Sequence, residues 1–158
     1  MHAALINPDH PSFVAPKDMP VAIRNYCAYT SQDPPANEGA VIRAALESLA
    51  LRYRMVLGYL EELIGGRIET IHIVGGGAKN ALLCQMAADA TGRRIIAGPV
   101  EATAIGNLVT QAIAQGAIGS IAQAREIIRA SFEVQEYRPR QSAAWDEAYE
   151  RFEKLVKG

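Results

Sequence analysis

Cysteine, tryptophan and histidine are scarce in this sequence: two, one and three among 158 residues. Cys27 and Cys84 stand far apart, without metal-ligand spacing, so a disulfide framework is excluded and a reduced, intracellular setting fits better. An excess of charge is lacking too. Sixteen basic residues face seventeen acidic ones, for a formal charge of -1. No general basic field exists to favour nucleic acid or an anionic membrane as partner. No apolar run reaches the ~18 residues of a membrane span. The opening MHAALINPDHP lacks the basic-then-apolar pattern of a secretory signal, and a cytoplasmic protein is expected. The length suits one domain with a single core.

Regular patterning is also missing from the start of the chain. NPDHPSFVAPKDMP carries four prolines and reads as an extended, turn-rich arm. Met19 to Thr30 fits a short helix with Ile23, Tyr26 and Cys27 on its apolar side, and SQDPPANEG is another connection. So long an irregular start suggests a segment that lies on something else. From Glu38 the pattern changes. Ile42, Leu46, Leu49, Tyr53, Val56, Leu60 and Leu63 recur at steps of four and three, sharing one helix face. Gly65-Gly66 should end that helix. One long helix lying across a sheet is expected, with a coiled coil as the alternative.

A βαβα order follows. Glu69 to Val74 reads as a strand, Lys79 to Ala90 as a helix, Arg94 to Ala97 as a strand and Glu101 to Gln115 as a helix. Ile121 to Ala130 is helical and Phe132 to Tyr137 fits an edge strand. The tail is a helix buried through Trp145, Ala148, Phe152 and Leu155. The alternation argues for an α/β layer with parallel neighbours. Two well-marked strands are too few for such a sheet, so the chain looks like part of a domain.

The stretch IHIVGGGAKN places three glycines between strand and helix. Such a turn lets a flat group rest against the backbone, with free N–H groups nearby. Close packing or plain turn geometry explains it as well. Neither a Walker loop nor a dinucleotide fingerprint is present. Asn80 offers a donor and an acceptor, whereas Lys79 fits a phosphate contact or a solvated surface. In AGPVEATAIGNLVTQAIAQG, Ala102, Gly106 and Ile113 line a face that would admit a second helix at short distance. Glu101 suits a helix start, and Thr103 and Asn107 border a cleft or face solvent.

Catalytic machinery is not apparent. His72 reads as a strand residue rather than a base; His2 and His10 fall in the arm. Cys84 lies beside Leu83 and Ala87, favouring core over nucleophile. Glu61-Glu62 and Asp146, Glu147, Glu150 and Glu153 read as solvated faces without the company a transition metal needs. No catalytic or metal-ligating residue is assigned.

Taken together, GGGAKN, CQMAADATGR and AGPVEATAIGN resemble the C-terminal ATP-binding domain of the FGGY carbohydrate kinases, and most of all the branch acting on L-rhamnulose. The likeness runs from the NPDHPSF arm through EGAVIRAALESLALRYRMVLGYLEEL to about Gln115 and thins beyond. It implies a partial actin-like ATPase (ribonuclease H-like) α/β domain in three layers, lacking its first three strands. Residues 1–40 would be the arm, 38–116 the α-β-α-β-α core and 117–158 a helical C-terminal segment. It also implies that Gly76 touches the adenine nucleotide, flanked by Gly75 and Gly77, with Asn80 alongside the nucleoside. Ala102 to Ala112 would form an interdomain hinge helix with Gly106 at the close contact. Some relatives carry paired cysteines where Ala87 and Thr91 stand here. The whole enzyme would use ATP and Mg2+ to phosphorylate the 1-hydroxyl of L-rhamnulose. Its sugar site, catalytic aspartate and most of the Mg2+ site would belong to an N-terminal kinase domain outside this chain. A noncatalytic nucleotide-binding or structural fragment, or part of a relative acting on xylulose, is the alternative, and a homo-oligomer is a further expectation.

Overall fold

The computed structural model describes residues 3–140 and 143–157; His2 lies outside them. A 3-10 turn at Pro11–Phe13 is followed by α1 (Met19–Tyr29) and α2 (Glu38–Ile64). Then come β1 (Thr70–Ile73), a 3-10 turn at Gly75–Lys79, α3 (Ala81–Thr91) and β2 (Arg94–Ala97). The remainder is α4 (Ala102–Ala114), α5 (Ile121–Ser131), β3 (Gln135–Tyr137) and α6 (Ala143–Lys157). The sequence patterns located α1 to α5 and the three strands to within a few residues and a helix in the tail; the two 3-10 turns were not among the expectations. Among the described residues, no helix is long and apolar enough to cross a membrane.

The sheet runs β1-β2-β3. β1 and β2 are parallel, with Ile71 opposite Ile95 and Ile73 opposite Ala97. β3 returns antiparallel, with Tyr137 opposite Ile95. Only the central strand is well covered: Ile95 is fully buried with Ala97, against Cys84, Ala87 and Ala88 of α3. Ala-rich α3 can approach closely because its small side chains keep the helix backbone near the strands.

α2 is the long helix that the sequence predicts, but its buried stripe is a different one. Val41, Ala44, Ser48, Leu51 and Met55 are buried, and they face helices and arm rather than the sheet. Ala50, Leu51 and Met55 pack with Met86, Ala90, Trp145, Ala148 and Phe152. Val41 and Ala44 pack with Ile23, Tyr26 and Cys27. Of the predicted face, Tyr53 does reach Ile71 and the β2 cluster, while Ile42, Val56, Leu60 and Leu63 are exposed. The sheet ends at β1, so most of that stripe overhangs it.

The surface on which the arm lies is α2 itself. Ala4, Leu5 and Ile6 are buried, with their backbone paired to side chains instead of a strand. Leu5 N–H donates to Gln32 Oε1 at 2.8 Å, and Gln32 Nε2 donates back to the Leu5 carbonyl at 2.8 Å. Ile6 N–H donates to Ser48 Oγ at 2.9 Å, and that hydroxyl donates to the Ala44 carbonyl at 2.7 Å. A buried backbone N–H needs such a partner. His10, Phe13 and Tyr26 then form a ring cluster with centroids 5.0 to 6.1 Å apart, and Arg52 pairs with Asp9 at 2.6 Å.

A second tie closes the other end of α2. The Glu61 carboxylate accepts from Ile68 N–H at 2.8 Å and from Arg93 Nη2 at 2.9 and 3.1 Å. Arg93 Nε donates to the Ile68 carbonyl at 2.8 Å. These bonds hold the entry to β1 against the α3–β2 connection. The Ile68 amide, then Arg93, keeps the Glu61 carboxyl below its usual range.

Two outcomes are expected. Ser48→Ala strands the buried Ile6 N–H and should lower unfolding free energy by about 1–3 kcal/mol in urea titration. Glu61 stabilises the fold above the ordinary glutamate pKa, about 4.3, and that contribution fades as pH falls through its lowered folded value. Glu61→Gln should therefore narrow the stability difference between pH 7 and pH 3, measured by thermal unfolding at both.

Candidate functional site

Parallel pairing of β1 and β2 brings their carboxyl ends side by side. In open α/β sheets, the crevice outside such ends is where ligands settle. Two connections meet there. Gly75 N–H donates to the Pro99 carbonyl at 3.3 Å, and Gly98 N–H donates to the Ile73 carbonyl at 2.8 Å. The glycine run after β1 and the Gly-Pro stretch after β2 thus form one backbone surface. Sequence reading singled out the first for ligand contact and the second, AGPVEATAIGN, for its helix face; the Gly98-Pro99 dipeptide was the available signal for the backbone contact.

The glycines do not form a simple loop ahead of a helix. They wind a 3-10 turn, Gly75–Lys79, and α3 starts only after Asn80. Gly75 has φ +73°, a region that a side chain disfavours. A Cβ on Gly76 would meet nothing within 4 Å. A Cβ on Gly77 would touch Ile73 Cγ2 at 3.4 Å, an ordinary packing distance. Packing thus bears on Gly77, backbone conformation on Gly75, and open space on Gly76. Gly98, at φ +112°, also disfavours a side chain by its backbone conformation, and a Cβ there would sit tightly, 3.3 Å from the Glu133 carbonyl oxygen.

Asn80 occupies the exit from the turn. Its Oδ1 accepts from Leu83 N–H at 3.0 Å, capping α3. That bond uses one of the oxygen's two lone pairs, and Asn80 itself is exposed, with its amide Nδ2 as a further donor. Beneath the turn, the Cys84 thiol lies 3.8 Å from the Gly77 carbonyl. Burial pushes both the Cys84 and Cys27 thiols up, and both are free cysteines inside the core. Neither is placed to act as a nucleophile.

α4 leaves this surface from Glu101, whose side chain makes no capping bond. Ile105 is its only buried residue. Thr103, Gly106, Asn107 and Leu108 are exposed, and Thr110 Oγ1 donates to the Gly106 carbonyl at 2.8 Å. A Cβ on Gly106 would meet nothing within 4 Å. Of the small-residue face, Gly106 is exposed while Ala102 and Ile113 are partly buried. Lys79 and His72 are exposed as well. Among the described residues, no group of three or more His, Cys, Asp or Glu side chains could hold a metal ion.

Residues 2–115 match the family model described as the FGGY family of carbohydrate kinases, C-terminal domain. A rhamnulokinase from Bacteroides thetaiotaomicron is 47% identical over 154 residues, covering 98% of this chain and 32% of that protein. Rhamnulokinases from Pectobacterium carotovorum and Halalkalibacterium halodurans are 39% and 42% identical, over 97% and 84% of this chain and 31% and 28% of theirs. The chain therefore spans about a third of the length of the curated relatives it matches. Among solved structures, the xylulose kinase from Rhodospirillum rubrum aligns with TM-score 0.60 and 22% identity, over 77% of this chain and 25% of that one. That likeness shows the fold: an α/β domain of the actin-like ATPase type, of which this chain holds a part.

If Asn80 serves α3 as its cap, Asn80→Ala should cost about 1 kcal/mol in chemical denaturation. Asn80→Ser, which restores a capping oxygen, should recover most of that loss.

Proposed function

This chain belongs to the FGGY family of carbohydrate kinases as a C-terminal domain, and we propose that it supplies the nucleotide-binding wall of a rhamnulokinase. The whole enzyme would transfer the γ-phosphoryl group of ATP to L-rhamnulose, giving L-rhamnulose 1-phosphate, in a cytoplasmic setting. The observation that carries the sugar assignment is the 47% identity to a rhamnulokinase over 98% of the chain.

The geometry supports the nucleotide reading at one point above all. Gly76 has open space where its side chain would be, at the carboxyl ends of two parallel strands. A flat base or ribose fits against bare backbone there. Gly75 and Gly77 shape the turn, and the Asn80 Nδ2 is a donor that can meet a nucleoside. Cys84, Ala87 and Ala88 hold α3 against β2, so the turn is mounted on a rigid base, as a preorganised site requires.

This division of labour places the proton-accepting aspartate and the sugar pocket on an N-terminal kinase domain. Mg2+ neutralises phosphate charge in such transfers. In this reading the chain's part is to hold and orient the nucleoside. Positioning and charge placement supply most of the rate in phosphoryl transfer, and one wall of a cleft supplies little of either.

In a coupled ADP-release assay with L-rhamnulose, the chain by itself should show no turnover; a rate on the order of 1 per second would refute the proposal. ATP should bind weakly, with a Kd of about 1 mM, because a pre-formed site normally encloses most of its ligand. Gly76→Val, which fills the open space, should abolish the calorimetric signal while leaving the unfolding midpoint nearly unchanged.

A further inference from the structure

Gly58 lies well inside α2, where glycine is less favourable than alanine. Neither of the usual reasons for a glycine applies. Its φ is not in the left-handed region, and a Cβ there would meet nothing within 4 Å. Instead Gly58 lines a cavity of about 310 Å³. Around it stand Arg54 and Glu61 of α2, Asp89 of α3, Arg93, and Asp146 and Tyr149 of α6. This is not the candidate nucleotide site. α3 separates the two: Asn80 lies at its start, whereas Ala90 and Thr91 at its end line the cavity, about 16 Å along the helix.

The polar groups of the cavity are only partly used. Arg54 Nη1 donates to Asp146 Oδ1 at 2.7 Å and to the Ala90 carbonyl at 3.3 Å, and its guanidinium lies over the Tyr149 ring, 4.4 Å from the centroid. Arg54 Nη2, Asp146 Oδ2 and the Tyr149 hydroxyl form no hydrogen bond with the described residues. Burial pushes the Tyr149 phenol up, so it stays protonated and able to donate. Charge is nearly balanced, with Arg54 and Arg93 against Glu61, Asp89 and Asp146. An anion would meet the carboxylates, and a cation the guanidinium groups. Hydroxyl groups, which both donate and accept, suit such a lining. Leu57 and Ala90 add apolar surface beside Gly58. The volume is at the low end for ligand pockets, ~300–1,000 Å³, which fits one small ring.

We infer that this cavity binds a neutral polyhydroxylated molecule of monosaccharide size. Its hydroxyls donate to Asp146 Oδ2 and accept from Arg54 Nη2 and the Tyr149 hydroxyl, while its carbon skeleton rests over Gly58 against Leu57 and Ala90. The inference stands on the cavity and needs neither the nucleotide site nor the sugar assignment above.

The test is amide NMR of the full chain, titrated with L-rhamnose or D-glucose, and with inorganic phosphate and putrescine as charged controls. Either sugar should shift the Gly58, Ala90 and Gly92 amides saturably, with a Kd of about 1–10 mM, and the charged controls should not. Gly58→Ala fills the open space with a better helix former, so it should raise the unfolding midpoint yet weaken sugar binding about tenfold or more. A loss of binding in a stabilised variant is not a folding defect. Tyr149→Phe keeps the ring under Arg54 and should weaken binding about three- to tenfold. Absence of a saturable shift at about 50 mM sugar overturns the inference. So does a larger response to phosphate or putrescine, or Gly58→Ala binding as well as the parent chain. Shifts centred on Gly76 also overturn it, since they put the sugar at the glycine turn. Failure of ATP to bind, with the sugar shifts intact, counts only against the nucleotide proposal; ATP binding without them does the reverse.

Discussion

Burial of one stripe of α2 is the constraint on which the other elements depend. Val41 and Ala44 anchor the arm and α1, while Leu51 and Met55 anchor α3 and α6. Each large apolar side chain removed from water there is worth about 1.5–3 kcal/mol. The two clusters thus share a single 27-residue helix, and Leu155 of α6 packs against both. Arg54 extends the same tie through polar groups, donating to Asp146 at 2.7 Å and to the Ala90 carbonyl at 3.3 Å.

The candidate site inherits its position from this arrangement. α2 fixes α3, and α3 presses Cys84, Ala87 and Ala88 against Ile95. That contact sets β2 beside β1 and brings the two glycine-containing connections into hydrogen-bonding distance. The site has few side-chain functional groups of its own. What it offers is exposed backbone over a stiff foundation, which suits recognition of a flat, uncharged part of a ligand better than chemistry on it. α4, attached through Ile105, is by contrast open on most of its surface.

The contrast between α2's two stripes also explains why the sheet is so lightly covered. Tyr53 is the point where the second stripe still meets the strands. Beyond it Val56, Leu60 and Leu63 are exposed.

Much of this was legible in the residues. The breaker Gly65-Gly66 acts locally, so the end of α2 followed from order along the chain, whereas the caps Asn37 and Asn80 emerged only with the structure. The glycine triplet and its neighbours marked the candidate site for the same reason. The choice between α2's two apolar stripes was not local. Helical periodicity shows that a face is apolar, but both stripes satisfy it, and only the packing of α1, α3 and α6 selects Val41 through Met55. The role of Ser48 was equally invisible, because its partner, Ile6, lies 42 residues away and is brought to it by the arm. Likewise the meeting of Gly75 with Pro99 needed β1 and β2 to pair in parallel. Sequence determined the elements and the glycine turn; tertiary structure decided which faces are buried and which backbone groups meet, since those depend on contacts between distant segments.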